Sequence, residues 1–424
     1  MTTTISPLPP PESARVLADL RELRALTATD AGAQRVAWGP VWRRAREWFQ
    51  QQLRELHLSP ELDAAGNSWV TLPGASPKTV IIGSHLDSVP NGGWLDGCLG
   101  VLTALEALRR HAAAGRPPVT LRLVDWADEE GARFGRSLLG SSAASGSLEI
   151  EQLRGLRDRQ GTTLPEALQE NGLSLERLPD ARSYLAALEA RAYLELHIEQ
   201  GPVLESLGRP TGAVIGTFGV ERHTLRFSGQ AAHSGATPIP LRRDAFLAAA
   251  EFALACREIA ERYSTREANV VSTCGVIKVE PGIVTAVPGQ CEISLDQRAL
   301  DRAVLARMLE DARSAAADAA ARNRVTVAWA PLWRIEPRLF DPQLIELCAE
   351  AVREVTGAAP RLPSGPLHDA AEMVPHMPTV MMFSSSARGL SHCLEEDTPI
   401  DHLDQSIRAF LLLVERTVAH VARG

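Results

Sequence analysis

Residues 79–87 read TVIIGSHLD, a short apolar run that passes directly into a serine, a histidine and an aspartate. The apolar part, residues 79–83, is typical of a strand that is buried on both faces of a sheet. A helix with apolar residues three and four apart is predicted over residues 99–111. A buried strand that leads through a turn into a helix is the basic unit of an α/β fold. This stretch therefore predicts a central strand with His85 and Asp87 at its carboxyl end.

The same arrangement recurs twice along the chain. Residues 119–126 form a second buried-type run and are followed by the acidic residues 128–130, and residues 192–197 are followed by Glu199 and Gln200. The alternation of such strands with helices predicts an α/β sheet that has helices on both faces. Ligands of open α/β sheets bind beyond the carboxyl ends of the strands. The ionisable residues at these three ends are therefore candidates for one site.

The pattern changes between residues 213 and 328. The predicted order over this segment is strand, helix, strand, strand, helix, strand, which is the order of a ferredoxin-like unit. The α/β alternation resumes after it with a helix predicted over residues 342–356. The sequence therefore predicts a larger α/β domain in two parts, 1–212 and 329–424, that is interrupted by a compact inserted domain.

Composition narrows the class of protein. The chain has 424 residues, and 44 Lys+Arg against 52 Asp+Glu give a net charge of −8, which argues against a nucleic-acid partner. We expect no membrane span, because no uncharged apolar run of about 18 residues occurs. The proline-rich start, residues 1–12, lacks the basic segment and apolar core of a secretion signal. The six cysteines lack CxxC spacing, so we expect reduced thiols and a cytoplasmic location.

Imidazole and carboxylate groups dominate the predicted strand ends. This combination suits Zn²⁺ or a similar divalent cation. Glu129 and Glu130 are adjacent, so they point to different sides, and one can bind metal while the other holds a water. Asp87 can accept the second ring N–H of His85 and fix its tautomer. Each residue alone has an ordinary alternative, namely a hydrogen-bonded histidine, a solvated acidic turn or, at Asp96, a helix cap. Their joint occurrence favours a metal site.

Six stretches of the sequence carry a resemblance to a known family. The chain resembles the amidase/carbamoylase branch of the M20 dinuclear zinc hydrolases, which contains N-carbamoyl-L-amino-acid hydrolases, allantoate amidohydrolases and β-ureidopropionases of that type. The resemblance implies a metallopeptidase-like α/β catalytic domain and a ferredoxin-like lid or dimerisation domain at 213–328. The stretches are GSHLDSVPNGGWLDGCLGV (83–101), DEEGARFG (128–135), HIEQGPVLE (197–205), SGQAAHSGATPIPLRRDA (228–245), LPSGPLHDA (362–370) and GLSHCLEE (389–396).

The resemblance also implies a cofactor and its ligands. It implies two divalent metal ions, Zn²⁺ in the first place, with Mn²⁺, Co²⁺ and Ni²⁺ as alternatives. Asp87 would orient one of the histidine ligands, and Glu129 would be the general base that acts with a hydroxide held between the two ions. The implied ligands are His85, Asp96 as the bridging carboxylate, Glu130, His197 and His392.

Substrate contacts follow from the same resemblance. His233 would reach the active site of a neighbouring subunit in a homodimer and stabilise the oxyanion, whereas the residues alone indicate a histidine in a surface turn. Arg298 would bind the substrate carboxylate, with a surface ion pair as the alternative. Gln200 matches a substrate contact, and His368 matches a residue that lines the site or has a purely structural role.

Four places depart from the family pattern. Thr285 stands where the family has an asparagine that helps to hold the substrate. Trp94 replaces the arginine of a GGRFDG motif, residues 366–367 are Pro-Leu instead of Ala-Gly, and residues 393–394 are Cys-Leu where Ser-Pro is common. None of them is an implied metal ligand. We therefore expect intact hydrolytic machinery and an altered substrate pocket.

These observations predict an enzyme that hydrolyses the carbamoyl group of an N-carbamoyl-L-amino acid, a small molecule with a carboxylate. The alternatives on the same machinery are an aminoacylase, an allantoate amidohydrolase or a specialised amidase. A metal-stabilised binding protein would show a degraded ligand set, and a cysteine-nucleophile hydrolase would resist chelators. We expect Cys98 and Cys393 to pack rather than bind metal.

Overall fold

The computed structural model describes residues 13–265 and 269–424; the proline-rich start, residues 1–12, lies outside the described residues. The chain divides into two compact units. The α/β unit comprises the residues up to Ile215 together with Phe340–Leu362 and His368–Gly424, and the inserted unit comprises Gly216–Leu339 and Pro363–Leu367. The predicted mixed α/β class is confirmed.

The elements are numbered in chain order. The helices are α1 Ser13–Thr27, α2 Pro40–Gln52, α3 Cys98–Ala114, α4 Leu139–Ser145, α5 Leu164–Glu170, α6 Ala181–Ala186, α7 Val203–Ser206, α8 Ala245–Tyr263, α9 Arg302–Arg322, α10 Pro342–Thr356, α11 Asp369–Met373 and α12 Ile400–Arg423. The strands are β1 Ala28–Thr29, β2 Gly32–Ala33, β3 Glu61–Leu62, β4 Ser68–Leu72, β5 Ser76–His85, β6 Val119–Trp126, β7 Ala190–Ile198, β8 Thr211–Thr217, β9 Gly219–Ser228, β10 Ala232–His233, β11 Val271–Thr273, β12 Ile277–Glu280, β13 Ala286–Val287, β14 Gln290–Ala299, β15 Thr326–Ile335, β16 Arg338–Leu339, β17 Arg361–Ser364 and β18 Thr379–Ser384. Short 3₁₀ helices span Leu53–Leu56, Ile150–Gln152, Leu175–Asp180, Ile239–Leu241 and Ala387–Gly389.

The centre of the α/β unit is a sheet in the order β8, β18, β7, β5, β6, β4, β3. The four central strands β18, β7, β5 and β6 run parallel to one another. Outside them, β8 is antiparallel to β18, β4 is antiparallel to β6, and β3 is antiparallel to β4. The carboxyl halves of these central strands are buried throughout, which explains their continuous apolar runs. Because the four strands are parallel, their carboxyl ends meet at one edge of the sheet.

Long amphipathic helices bury much of this sheet. Helix α12 presents an apolar stripe at spacings of three and four and contacts α3, α10 and strand β5. Helix α3 also packs on β5, β6 and β7, and α11 contacts β7 and β18. None of the helices in the described part of the chain is both long and apolar enough to cross a bilayer.

The inserted unit is an antiparallel sheet in the order β11, β14, β9, β15, with β12 also paired to β14. Helices α8 and α9 pack on each other and on this sheet. Strand β14 alternates between buried and less buried positions, so Ile293 and Leu295 face the core of the unit while Asp296 and Arg298 share the opposite side.

One predicted strand of this unit is interrupted. A single strand is predicted over residues 270–279, whereas the structure has β11 and β12 separated by Cys274 to Val276. Thr273 pairs with Asp296 and Ile277 pairs with Ile293, so four steps on one strand match three on the other. The extra residue is a bulge next to Gly275, a residue that tolerates irregular strand geometry. The last strand, β15, continues to Ile335, beyond the predicted end of the inserted segment.

Candidate metal centre

The parallel sheet carries several of the predicted residues to one edge. His85 is the last residue of β5, and His197 is the penultimate residue of β7. Glu129 and Glu130 follow β6 in a turn, and Asp96 lies in the turn before α3. The backbone of the β6 turn adopts a left-handed conformation at Asp128 (φ 58°), and Trp38 Nε1 donates to a carboxylate oxygen of this residue at 2.7 Å.

The two oxygens of Asp96 face two different groups of side chains. Oδ1 is 3.0 Å from His197 Nε2 and 3.5 Å from His85 Nε2. Oδ2 is 3.3 Å from His392 Nε2, which in turn is 3.4 Å from Glu130 Oε2. Two groups of nitrogen and oxygen donors that share one carboxylate are the arrangement expected of a site for two cations.

The hydrogen bonds of the histidines leave lone pairs directed into this cluster. His197 Nδ1 is 2.9 Å from the carbonyl oxygen of Ile198, so it carries the ring proton. His85 Nδ1 is 3.2 Å from the carbonyl oxygen of Asp87 in the same way. The two Nε2 atoms are 3.5 Å apart and both face a carboxylate. When the rings are neutral, these two atoms offer lone pairs to a cation, and without a cation the protonated rings donate to Asp96 instead, so the donor set fits a cation.

Asp87 holds the turn after β6 as well as the neighbouring histidine. Its two carboxylate oxygens accept the backbone N–H groups of Glu129 and Glu130 at 3.2 Å each. Its Oδ1 is 3.5 Å from His85 Nδ1, a looser contact than the one made by its carbonyl. This carboxylate therefore fixes the backbone that presents the two glutamates.

Glu129 is buried beside the cluster, with Oε2 3.8 Å from His85 Nε2. Burial, reinforced by the carboxylates around it, raises the pKa of Glu129 well above its usual range, although the nearby His85 acts in the opposite sense. A carboxylate whose pKa is raised in this way accepts a proton more readily than a solvent-exposed glutamate does.

The second donor group, which consists of Asp96, Glu130 and His392, contains three residues with shifted pKa values. Burial raises the pKa of Glu130 to about 7. The hydrogen bond to Asp96 raises the pKa of His392 to about 9, against the effect of its partial burial. Burial would raise the pKa of Asp96, but the charge of His197 and hydrogen bonds from three histidines hold it well below its usual range. A bound cation would favour the ionised glutamate and the neutral imidazole.

Gln200 lies at this second group. Its Nε2 is 2.8 Å from Asp96 Oδ2, 3.2 Å from Ser391 Oγ and 3.1 Å from His392 Nε2. The residue lies two positions after the end of β7 and has a left-handed backbone (φ 58°). In this structure the amide therefore contacts the shared carboxylate.

Two carboxylates at the site were not predicted from the sequence. Glu396 accepts the backbone N–H groups of Leu95 and Asp96 at 3.1 Å and the hydroxyl of Ser391 at 2.8 Å. Its position four residues after His392 in the GLSHCLEE stretch was the available signal. Glu195 lies within β7 and accepts Ser84 Oγ at 3.1 Å. A glutamate inside an apolar strand is the signal that would have found it.

His368 lies behind His197, with ring centroids 4.4 Å apart. It is buried, and its Nε2 has no hydrogen-bond partner among the described residues. Burial, together with the charge of His197, holds the pKa of His368 well below its usual range, so this ring is neutral. With Glu195 and His197 it forms a third group of potential donor atoms.

His233 and Thr285 are neighbours in the inserted unit. The strand pair β10–β13 places His233 opposite Ala286, and Ser234 N donates to the carbonyl oxygen of Thr285 at 2.9 Å. His233 is exposed, and its Nδ1 accepts the backbone N–H groups of Gly235 and Ala236 at 3.1 and 3.2 Å. Its Nε2 therefore carries the ring proton and can donate it.

Arg298 is half-buried and forms an ion pair on its own strand. Its Nε and Nη2 donate to the two carboxylate oxygens of Asp296 at 2.8 and 3.3 Å, and Nη1 donates to the carbonyl oxygen of Gly365 at 3.0 Å. Arg222 also donates to Asp296, at 2.6 Å. The local ion pair that the sequence left open as an alternative is therefore present.

Comparison with known proteins places the chain in a family. The model of peptidase family M20/M25/M40 matches residues 81–416. The chain belongs to this family. It is 37% identical over 367 residues to an N-carbamoyl-L-amino acid amidohydrolase of Geobacillus stearothermophilus, covering 85% of this chain and 87% of that protein. It is 31% identical over 389 residues to the allantoate amidohydrolase of Escherichia coli (strain K12), covering 90% and 92%.

The solved structures agree with this assignment. A hydantoinase/carbamoylase family amidase from Burkholderia ambifaria matches with a TM-score of 0.86 and 33% identity, covering 97% of this chain and 98% of that one. This M20 protein is therefore a hydrolase that acts on amides, as predicted. The M20 family is metal-dependent, which agrees with the donor groups around Asp96.

Two departures of this M20 protein from the family pattern lie near the cluster. Trp94 is buried, donates from Nε1 to Asp397 at 3.2 Å, and has the guanidinium of Arg24 5.5 Å from its ring centre. Cys393, which belongs to the second departure, is half-buried, and Cys98, the other cysteine next to an implied ligand, is buried. None of the potential metal-binding groups found among the described residues includes a cysteine.

Proposed function

We propose that this M20 protein hydrolyses the carbamoyl group of an N-carbamoyl-L-amino acid to the amino acid, CO₂ and ammonia. The observation that carries the proposal is the pair of donor groups that share Asp96, with the buried carboxylate of Glu129 beside them. The likeness to the Geobacillus N-carbamoyl-L-amino acid amidohydrolase supports the substrate class.

The cofactor in this proposal is a pair of divalent ions, Zn²⁺ first, with Mn²⁺, Co²⁺ or Ni²⁺ as alternatives. His85, Asp96 and His197 would hold one ion, and Asp96, Glu130 and His392 would hold the other. When bound, such ions polarise the amide carbonyl and make a water molecule acidic enough to be deprotonated near neutral pH.

Glu129 is the proposed general base. Its carboxylate accepts the proton of the attacking water and then donates it to the departing nitrogen, so the residue returns to its starting state. Asp87 keeps this glutamate in place through its hydrogen bond to the backbone. Burial favours the first step, because it raises the pKa of this carboxyl and makes it a stronger proton acceptor.

The inserted unit supplies the proposed substrate contacts. His233, which donates from Nε2, stabilises the oxyanion at the active site of a partner subunit in a homodimer. Arg298 exchanges its contact with Asp296 for the substrate carboxylate. Gln200, Thr285 and His368 are further proposed contacts. The segment 213–328 acts as lid and dimerisation domain, and the enzyme is cytoplasmic.

A different linear amide is the second candidate. Thr285 lies next to His233. Its side chain is shorter than the asparagine side chain that the family pattern has at this position. The allantoate amidohydrolase of Escherichia coli is also similar over most of the chain. A larger pocket would favour allantoate-like, acyl or other specialised amides.

A substrate panel tests the proposal. Zn²⁺-loaded protein is given N-carbamoyl-L-methionine, its D-enantiomer, allantoate and N-acetyl-L-methionine, and the released ammonia or amino acid is measured. We expect the highest kcat/KM with the L-carbamoyl compound and loss of turnover after chelation. A higher kcat/KM with allantoate or the acetyl compound would favour the second candidate, and turnover that survives chelation would contradict both.

A further inference from the structure

Two cysteines of the inserted unit lie side by side although they are distant in the sequence. Cys256 is on the buried face of α8, where Phe252 and Ile259 are its neighbours at helical spacing. Cys274 follows β11 directly and packs, half-buried, against the same hydrophobic core.

The strand geometry explains why the two thiols meet. Around β11 the exposed residues Val271 and Thr273 alternate with the less exposed Ser272 and Cys274. Because α8 packs on β11, the second pair of side chains faces the helix. The thiol of Cys274 is accordingly the main interaction partner of the Cys256 thiol.

The two thiols differ in chemical character. Interaction with Cys256 lowers the pKa of Cys274, and the same interaction together with burial raises the pKa of Cys256. Burial raises the pKa of Cys98 and of Cys291 to about 11. Cys274 is the more accessible of the two thiols and has a second sulfur beside it, and these are the features of a reactive cysteine with a resolving partner.

We propose that Cys274 and Cys256 are a peroxide-sensitive thiol pair that forms a disulfide. The Cys274 thiolate attacks a peroxide oxygen, the O–O bond breaks, and the cysteine becomes a sulfenic acid while hydroxide leaves. The Cys256 sulfur then attacks the sulfenic sulfur, the S–O bond breaks and water leaves. In sum, two thiols and one H₂O₂ give one disulfide and two waters.

The position of the pair connects it to a residue of the proposed site. In the sheet, Val271 pairs with Arg298 and Thr273 pairs with Asp296. A covalent bond from α8 to the end of β11 would restrict the strand that borders this arginine. The expected consequence is a changed KM for the carbamoyl substrate that dithiothreitol reverses. This consequence rests on the proposed function, whereas disulfide formation does not.

Peptide mass spectrometry tests the pair directly. The full chain is reduced, freed of reductant, treated with H₂O₂, alkylated and digested. We expect a peptide in which Cys256 and Cys274 are cross-linked, two fewer free thiols and a higher melting temperature, all reversed by dithiothreitol. Wild-type protein in which Cys274 stays reduced, or reaches the sulfinic acid without a cross-link, would overturn the proposal.

Variants separate the pair from general oxidation. In Cys256→Ser, the sulfenic acid of Cys274 should accumulate and react with dimedone, and Cys274→Ser should show neither cross-link nor dimedone adduct at this pair. Cys393→Ser is the matched control, because it removes the other half-buried thiol and should leave the cross-link unchanged. Full cross-linking with an unchanged KM would overturn the connection to Arg298 alone.

Discussion

The residues proposed for one reaction lie in two regions with opposite settings. In the α/β unit, His85 and His197 are each only 1% exposed and lie against carboxylates. In the inserted unit, His233 is exposed, and Arg298 is tied to Asp296. Burying ionisable groups costs free energy unless they are paired or bind metal, and the groups of this cluster are paired with one another and also suited to a cation. Exposing a histidine to solvent costs no such free energy, so the role of His233 depends on the substrate or subunit that it contacts.

This contrast leads to different expectations for variants of the two regions. Changes in the α/β unit should act on metal content or on the chemical step. Changes in the inserted unit should leave the metal in place and act on how the substrate and its transition state are held. Measuring metal content beside kcat and KM separates the two.

The largest effect is expected for Glu129→Gln. The amide cannot accept a proton, so kcat should fall by roughly 10²- to 10⁴-fold, while both proposed ions remain bound because their ligands are intact. Turnover and metal analysis of the same preparation measure this. Glu170→Gln, at an exposed position of the same unit, should leave both values unchanged. A variant that keeps full kcat would show that Glu129 is not the proton acceptor.

His233→Ala should lower kcat by roughly 10²- to 10³-fold without loss of metal, since it removes one donor to the oxyanion. His376→Ala, which removes an exposed histidine of the α/β unit, is the matched control. Mixing His233→Ala with Glu129→Gln subunits should restore activity, because a heterodimer then has one site with both residues. Mixed subunits that stay inactive would contradict the proposed role across the dimer.

Part of this contrast could be predicted from the sequence. The carboxyl ends of parallel strands lie at one edge of a sheet. Ionisable residues that directly follow β5, β6 and β7 therefore come close together, independently of the conformation of the loops. His85, Glu130 and His197 were identifiable for this reason.

The features of the site and the fold that the sequence does not predict depend on contacts between distant segments of the chain. Glu396 reaches the backbone of Asp96 from the other end of the chain, and that hydrogen bond exists only once α12 and the sheet are assembled. Trp94 contacts Arg24 and Asp397, two residues that lie far from it in the sequence, and no local pattern predicts these contacts. The bulge at Gly275 arises from the pairing of β11 and β12 with β14, which the apolar pattern of residues 270–279 does not show.

Arg298→Lys should raise KM for a carboxylate substrate by roughly 10- to 100-fold with little change in kcat. Lysine keeps the charge but loses the planar pair of donors, and a hydrogen bond to a charged group contributes about 1.5–3 kcal/mol. Steady-state kinetics measure this. Arg222→Lys is the control, since this residue contacts the same Asp296 from a partly exposed position and its loss should change KM little. Equal effects of both substitutions would indicate that the ion pair, rather than contact with substrate, matters.

The smallest expected effect is the pH dependence of metal binding, and it belongs to the α/β unit alone. Burial raises the pKa of Glu130 to about 7, so below that pH the carboxyl is protonated in the metal-free protein and must lose a proton to bind a cation. When one proton must be released for the cation to bind, the association constant of the cation falls about tenfold for each pH unit below the pKa of that group. Above pH 7 this glutamate is already ionised, and its contribution to the slope disappears.

The pKa of His392 is raised to about 9, so this imidazole still releases its proton on metal binding between pH 7 and 9. Zn²⁺ affinity, measured against a competing chelator from pH 6 to 8, should therefore rise more steeply with pH below 7 than above it. Glu130→Gln should weaken binding and remove the change of slope, because the amide does not titrate. His233→Ala should keep the wild-type curve, since its ring lies in the inserted unit. A change of slope that persists in Glu130→Gln would assign the released proton to one of the histidines.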